Sequence, residues 1–232
     1  MPYAYIIGVG IAAIPWAVMF WRRPDLRREM IFAGLLGAAI GLTGSLYVPQ
    51  YWNPPTIGNL LGRYGVSLED ILLGFLIGGV AAVLYEYVKT RRTKRPLIAR
   101  SYPHLLSAAV FTCVYVVGLA LLPLKPLHVL VIAMLLGAIV VVVYRQDLVP
   151  EMFWSCLWFA VLYWGLFSLF IWLFPDFITT YYNRDYLSGL WLGAVPVEEI
   201  MFAATTGLFW SVLYEFTRGL KVSRRRLGRS AD

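Results

Sequence analysis

Charge is scarce in this chain. Asp, Glu, Lys and Arg make up 14% of its 232 residues, against about 25% in a typical soluble domain, which excludes a water-soluble globular reading. Cysteine is scarcer still: the two present, Cys113 and Cys156, both lie in apolar runs. They rule out a disulfide framework and a cysteine-based zinc site, and read as packing residues. His104 and His128 each follow a proline with no acid at ligand spacing, so no metal is expected. The last apolar run contains no lysine, which removes a retinal-type Schiff base. Gly8-Val9-Gly10-Ile11-Ala12-Ala13 imitates a dinucleotide fingerprint but lies within an apolar run with no preceding strand, so no cofactor is expected either.

What the chain has instead is hydrophobicity, 60% of residues with a mean hydropathy of +0.70. At about 20 residues per span this suffices for seven crossings, and runs near 3–21, 30–48, 67–88, 103–123, 127–144, 150–174 and 190–217 supply them. The expected fold is an all-α integral membrane protein with seven transmembrane helices. The first run lacks a basic leader and carries Arg22, Arg23, Arg27 and Arg28 after it, so it reads as a retained helix and not a secretory signal. With the N-terminus outside, seventeen Lys and Arg fall on the inner side and three (Arg63, Lys125 and Arg184) on the outer. That bias predicts a cytoplasmic C-terminus in the inner membrane. It also assigns the net charge of +7 to lipid and not to nucleic acid.

An internal repeat sharpens this picture. Residues 66–87 and 195–216 align at an offset of 129, with identity at Val66/Val195, Glu69/Glu198, Ile71/Ile200, Gly78/Gly207, Val83/Val212, Leu84/Leu213, Tyr85/Tyr214 and Glu86/Glu215. Upstream, Tyr51-Trp52-Asn53 echoes Tyr181-Tyr182-Asn183. The pattern predicts parallel three-helix repeats in a 3+1+3 arrangement. Residues 1–100 form the first unit with its basic inner loop, 101–126 a linking helix, 127–217 the second unit and 218–232 a basic tail. Gly34, Gly37, Gly41, Ser45, Gly74 and Gly78 suit close helix packing in lipid.

Ionisable groups at membrane depth are costly and mark function. Two clusters qualify, Glu69-Asp70 and Glu198-Glu199, each in the first turn of an expected helix. Two readings stand side by side. Acids there cap the helix and complement its dipole; alternatively, adjacent like charges in a dehydrating site retain a proton. Glu86 and Glu215 lie three residues before Lys89 and Arg218, the spacing of surface ion pairs. Tyr51, Trp52, Tyr181 and Tyr182 either belong to an interfacial aromatic belt or line a site where a cation forms.

Pro196-Val197-Glu198-Glu199-Ile200-Met201-Phe202 resembles the signature of the membrane lycopene cyclase domain of bacteria, archaea and fungi, Pro-x-Glu-(Glu/Asp) followed by Phe. The first copy departs from it, with Ser67 for Pro and Leu73 for Phe, while Glu69 and Asp70 keep the acids. The resemblance implies a non-redox, acid-initiated cyclisation of a linear carotenoid end group without a cofactor, on an apolar polyene that enters from the bilayer. Carried over by position, it implies Glu198 as general acid with Glu199 as its proton partner, Glu69 and Asp70 as the second carboxylate pair, and Trp52, Tyr51, Tyr181, Tyr182 and Phe202 against the substrate. Two other classes remain: a 3+1+3 membrane transporter of a small molecule, and a catalytically silent membrane partner. A homo-oligomer is compatible with all three.

Overall fold

The computed structural model describes residues 3–89, 92–96 and 103–224, the side chains of 92–96 and 221–224 excepted. Arg91, Arg100, Arg225, Arg226 and Arg229 of the charge count lie outside the described residues. In chain order the helices are α1 (Ala4–Arg22), α2 (Arg27–Gly41), the short α3 (Leu60–Tyr64), α4 (Leu68–Lys89), α5 (Leu106–Leu121), α6 (Pro126–Tyr144), α7 (Val149–Leu173), the short α8 (Phe177–Tyr181) and α9 (Val197–Arg218). Two small antiparallel strand pairs accompany the helices. β1 (Arg92–Pro96) pairs with β4 (Leu220–Arg224), and β2 (Trp191–Leu192) pairs with β3 (Val195–Pro196).

Among the described residues, four segments are long and apolar enough to cross a membrane: Ala4–Arg22, Leu68–Lys89, Pro126–Tyr144 and Gln146–Leu173. The other three expected spans differ for identifiable reasons. The run at 30–48 stops as a helix at Gly41 and tightens into a 3-10 turn over Gly44–Tyr47, so α2 is only about 22 Å long at 1.5 Å per residue, short of a hydrocarbon core of about 30 Å. The helix in 103–123 has 16 residues. The run at 190–217 opens as the β2–β3 hairpin, and the helix that follows carries Glu198, Glu199 and Glu215, which lower its hydropathy.

Helix pairing follows the small residues. α2 lies on α4, and α7 on α9. A Cβ on Gly78 would stand 2.6 Å from the Ala33 carbonyl oxygen, and one on Gly37 would meet the Gly74 backbone; only glycine lets these backbones approach so closely. α1 rests on α4 and α6 on α9, while α4 and α9 meet each other between the two groups. The buried core is therefore built along the α4–α9 contact.

At the end of the helices remote from the acid pairs, the structure exposes a motif pair at a second offset, 122: Arg23-x-Asp25-Leu26-x-x-Glu29-Met30 and Arg145-x-Asp147-Leu148-x-x-Glu151-Met152. Arg23 donates to Asp25 at 2.9 and 2.7 Å and to the Glu86 carbonyl at 3.0 Å. Arg145 donates to Asp147 at 2.8 and 2.9 Å and to the Leu220 carbonyl at 2.8 Å. Each arginine thus ties the start of α2 or α7 to the end of α4 or α9. Glu86 and Glu215 do not lie at the surface, where their spacing to Lys89 and Arg218 had placed them. Both carboxylates are buried, with ligand oxygens within 4.8 Å of each other and of Glu29. The neighbouring cations lie instead over aromatic rings, Lys89 over Trp154 and Trp158 and Arg218 over Phe32 and Tyr214.

Candidate active site

Helix geometry separates the members of each acid pair, because consecutive residues lie about 100° apart around an α-helix of 3.6 residues per turn. In α4, Ser67 Oγ accepts the Asp70 N–H at 3.1 Å and donates to Glu69 Oε2 at 3.3 Å, a capping arrangement. Glu69 Oε1 accepts the Ile57 N–H at 2.6 Å. In α9, Pro196 provides the extended entry residue (φ −61°, ψ 143°), and Glu198 Oε1 accepts the Ser188 N–H. The first acid of each pair therefore holds a connecting loop. The second faces the protein interior.

Those loops meet over the interior. Trp52 and Tyr182 form an antiparallel bridge, with the Asn53 N–H donating to the Tyr181 carbonyl at 2.8 Å and the Asn183 N–H to the Tyr51 carbonyl at 2.9 Å. The two segments that echo each other in sequence are thus hydrogen-bonded to each other. Their register aims Tyr51 and Tyr182 at Glu199, to which their hydroxyls donate at 2.6 and 2.9 Å, both at Oε1. Tyr163 of α7 donates to Glu199 Oε2 at 2.6 Å. Tyr5 of α1 donates to Asp70 Oδ1. Burial, reinforced by the Glu199 carboxylate, pushes the Tyr51 and Tyr182 hydroxyls well above their ordinary pKa, so both remain protonated donors. Trp52 spans the gap between the two sets, edge-on to Tyr5 at 4.8 Å and to Tyr182 at 5.8 Å.

A cavity of about 230 Å³ lies beneath this roof. Its lining includes Asp70 and Glu199 but neither Glu69 nor Glu198. It runs along Tyr5 to Pro15 of α1, Asp70 to Val80 of α4 and Phe159 to Phe170 of α7, roughly 15 Å at 1.5 Å per residue. Away from the acids its walls are apolar, with Ala12, Pro15, Ile77, Val80, Phe159 and Leu162. Elements of both halves of the chain contribute, so the cavity is closed only when α1, α2 and α4 meet α6, α7 and α9.

Of the residues singled out in the sequence, Asp70, Glu199, Tyr51, Trp52, Tyr182 and Phe202 line this cavity. Phe202 stands edge-on to Tyr163 at 6.0 Å. Tyr181 is half-buried against Phe177, with ring centroids 5.0 Å apart, and is not in the lining. Tyr5 and Tyr163, which bond directly to the two acids, were not among the sequence candidates. Their one legible signal is a tyrosine placed inside a long apolar run.

These features define a class: a helical membrane protein with two buried carboxyls at one end of an apolar cavity, one bonded by three tyrosine hydroxyls and the other by one. Residues 125–217, which contain α6 to α9 with Glu198 and Glu199, match the family model described as lycopene cyclase, the family that the Pro196–Phe202 segment resembles. No curated protein and no solved structure matches the chain.

Proposed function

We propose that this protein is a carotenoid end-group cyclase that closes the ring of a linear polyene such as lycopene by proton transfer, without redox change. The observation that carries the reading is the placement of Asp70 and Glu199 together at the polar end of an otherwise apolar cavity. A proton delivered to the terminal double bond gives a tertiary cation, the nearby double bond attacks it, and loss of a proton leaves a cyclic end group. The apolar walls take the chain, the aromatic roof of Tyr51, Trp52 and Tyr182 faces the cation, and the carboxyls exchange the protons. In this reading Glu69 and Glu198 act through the loops they hold at Ile57 and Ser188, and Asp70 and Glu199 do the chemistry.

The architecture that goes with this function is seven spans in a 3+1+3 repeat, with the N-terminus outside and the acids towards the outer leaflet of the inner membrane. The equivalent arginine clamps at Arg23 and Arg145 support it, and the short α2 and α5 reach across with their flanking turns. A transporter of a polar solute would need polar groups along the passage; here those of the lining gather at one end. A silent partner would have no need for two buried carboxyls aimed into one cavity.

Expression in cells that accumulate lycopene, followed by pigment chromatography, tests the proposal. Cyclic pigment is the expected result, and unchanged lycopene with normal membrane insertion is the refuting one. A second expectation follows from both carboxyls sharing one cavity. A substrate with two equivalent ends must leave and return reversed, so a one-ring intermediate precedes the two-ring product. A time course showing only two-ring product from its earliest points contradicts the shared-cavity picture.

A further inference from the structure

Equivalent positions of the two halves line the cavity with different residues. At the 122-residue offset Tyr5 corresponds to Leu127, Gly41 to Tyr163 and Gly44 to Leu166, and all six contribute to the wall. The exchange leaves the two carboxyls in unlike surroundings. Glu199 receives hydroxyl hydrogens from Tyr51, Tyr182 and Tyr163, two at Oε1 and one at Oε2. An ionised carboxylate only accepts and so suits three hydroxyl donors, whereas a protonated one would also have to place its own O–H hydrogen among them. Asp70 accepts from Tyr5 at Oδ1, and the other hydroxyl close to its carboxyl, Ser67, is shared with Glu69. Its Oδ2 lies beside Gly44, which has no side chain to cover it.

We infer that the two halves have divided the reaction: Asp70 donates the initiating proton, Glu199 is the anion that stabilises the cation and accepts the departing proton, and Tyr163 is the positioning residue that fixes where on the ring that proton is lost. This division rests on the cyclase reading. The Oδ2–H bond of Asp70 breaks as a C–H bond forms at the terminal double bond. The electron pair of the second double bond then closes the ring, and a C–H bond beside the new cation breaks, its electrons forming the ring double bond and its proton passing to Glu199. One proton enters and one leaves. Exchange with water restores both carboxyls for the next end group.

Several C–H bonds flank the final cation, and the base removes the one it is held against. Its position therefore selects the ring isomer. Tyr163→Phe frees Glu199 Oε2 and leaves Asp70 untouched; Tyr5→Phe does the reverse. Both variants are assayed on lycopene in lipid vesicles, normalised to folded protein by size-exclusion chromatography, and read for rate and for the ratio of ring double-bond isomers. The expected result is that Tyr163→Phe shifts the isomer ratio by about tenfold, the size of one charge-assisted hydrogen bond, while Tyr5→Phe slows ring closure with the ratio unchanged. An unchanged ratio in Tyr163→Phe, or a shifted one in Tyr5→Phe, overturns the division while the cyclase reading stands. A wild-type protein that forms no cyclic pigment overturns both.

Discussion

Glu199→Gln and Asp70→Asn each slow ring closure by at least about 100-fold, the contribution expected of a positioned acid or base, whereas Glu198→Gln and Glu69→Gln stay within about tenfold of wild type. The contrast follows from which way each side chain points. Gln at 198 keeps a carbonyl oxygen that can accept the Ser188 N–H, and Gln at 69 does the same for Ile57, so the loops stay in place. Gln at 199 can still accept from Tyr51 and Tyr182 through its carbonyl oxygen and donate its amide N–H to the Tyr163 hydroxyl, but it is no longer an anion and cannot take up a proton. Asn at 70 keeps its partner Tyr5 yet has no proton to give. Initial rates on lycopene in lipid vesicles decide the matter. If Glu198→Gln proved as damaging as Glu199→Gln, the assignment of the inner acid to the chemistry would be wrong.

Gly37→Ala destabilises the protein by about 2 kcal/mol, the scale of an overpacked site, or roughly 4–8 °C in Tm for a chain of this size. The added Cβ would collide with the Gly74 carbonyl, and backbone on both sides of the contact leaves no side chain to yield. α2 and α4 must separate, and α4 carries Asp70, so ring closure falls along with stability. Gly10→Ala is the control. It lies on α1 with nothing within 4 Å of the new Cβ, and the gain in helix propensity leaves stability unchanged or slightly raised. Thermal unfolding of the two variants in the same detergent compares them directly. Equal midpoints would show that the α2–α4 contact is looser than described above.

The membrane character of the chain was legible because composition alone demands it. The acid pairs and the Tyr-Trp-Asn echo were legible because they repeat at nearly fixed spacing, and the structure brings both loops and one acid of each pair to one cavity. Which acid turns inward was not legible. That choice depends on a 100° step around the helix and on which residue begins it, and adjacent acids look alike in sequence. Tyr5 and Tyr163 were hidden for another reason: their hydroxyls meet acids 65 and 36 residues away, and local pattern carries no record of such a contact. The Arg23 and Arg145 motif pair was readable, but at an offset of 122 in place of 129, because α7 has 25 residues against 15 in α2, a difference that the shorter connection before α9 only partly offsets. Spacing misled for Glu86 and Glu215, where an i,i+3 cation suggested a surface pair and helix packing buried both carboxylates instead.

The most direct test of the central claim, that a carboxyl proton at this cavity starts the ring closure, is mass spectrometry of the product formed in heavy water. Purified protein in lipid vesicles is given lycopene and no reductant, nucleotide or metal. One deuteron should appear in each ring closed, with Glu199→Gln and Asp70→Asn giving almost none. Rings formed without deuterium, or no ring formed until an electron donor is added, would contradict the claim.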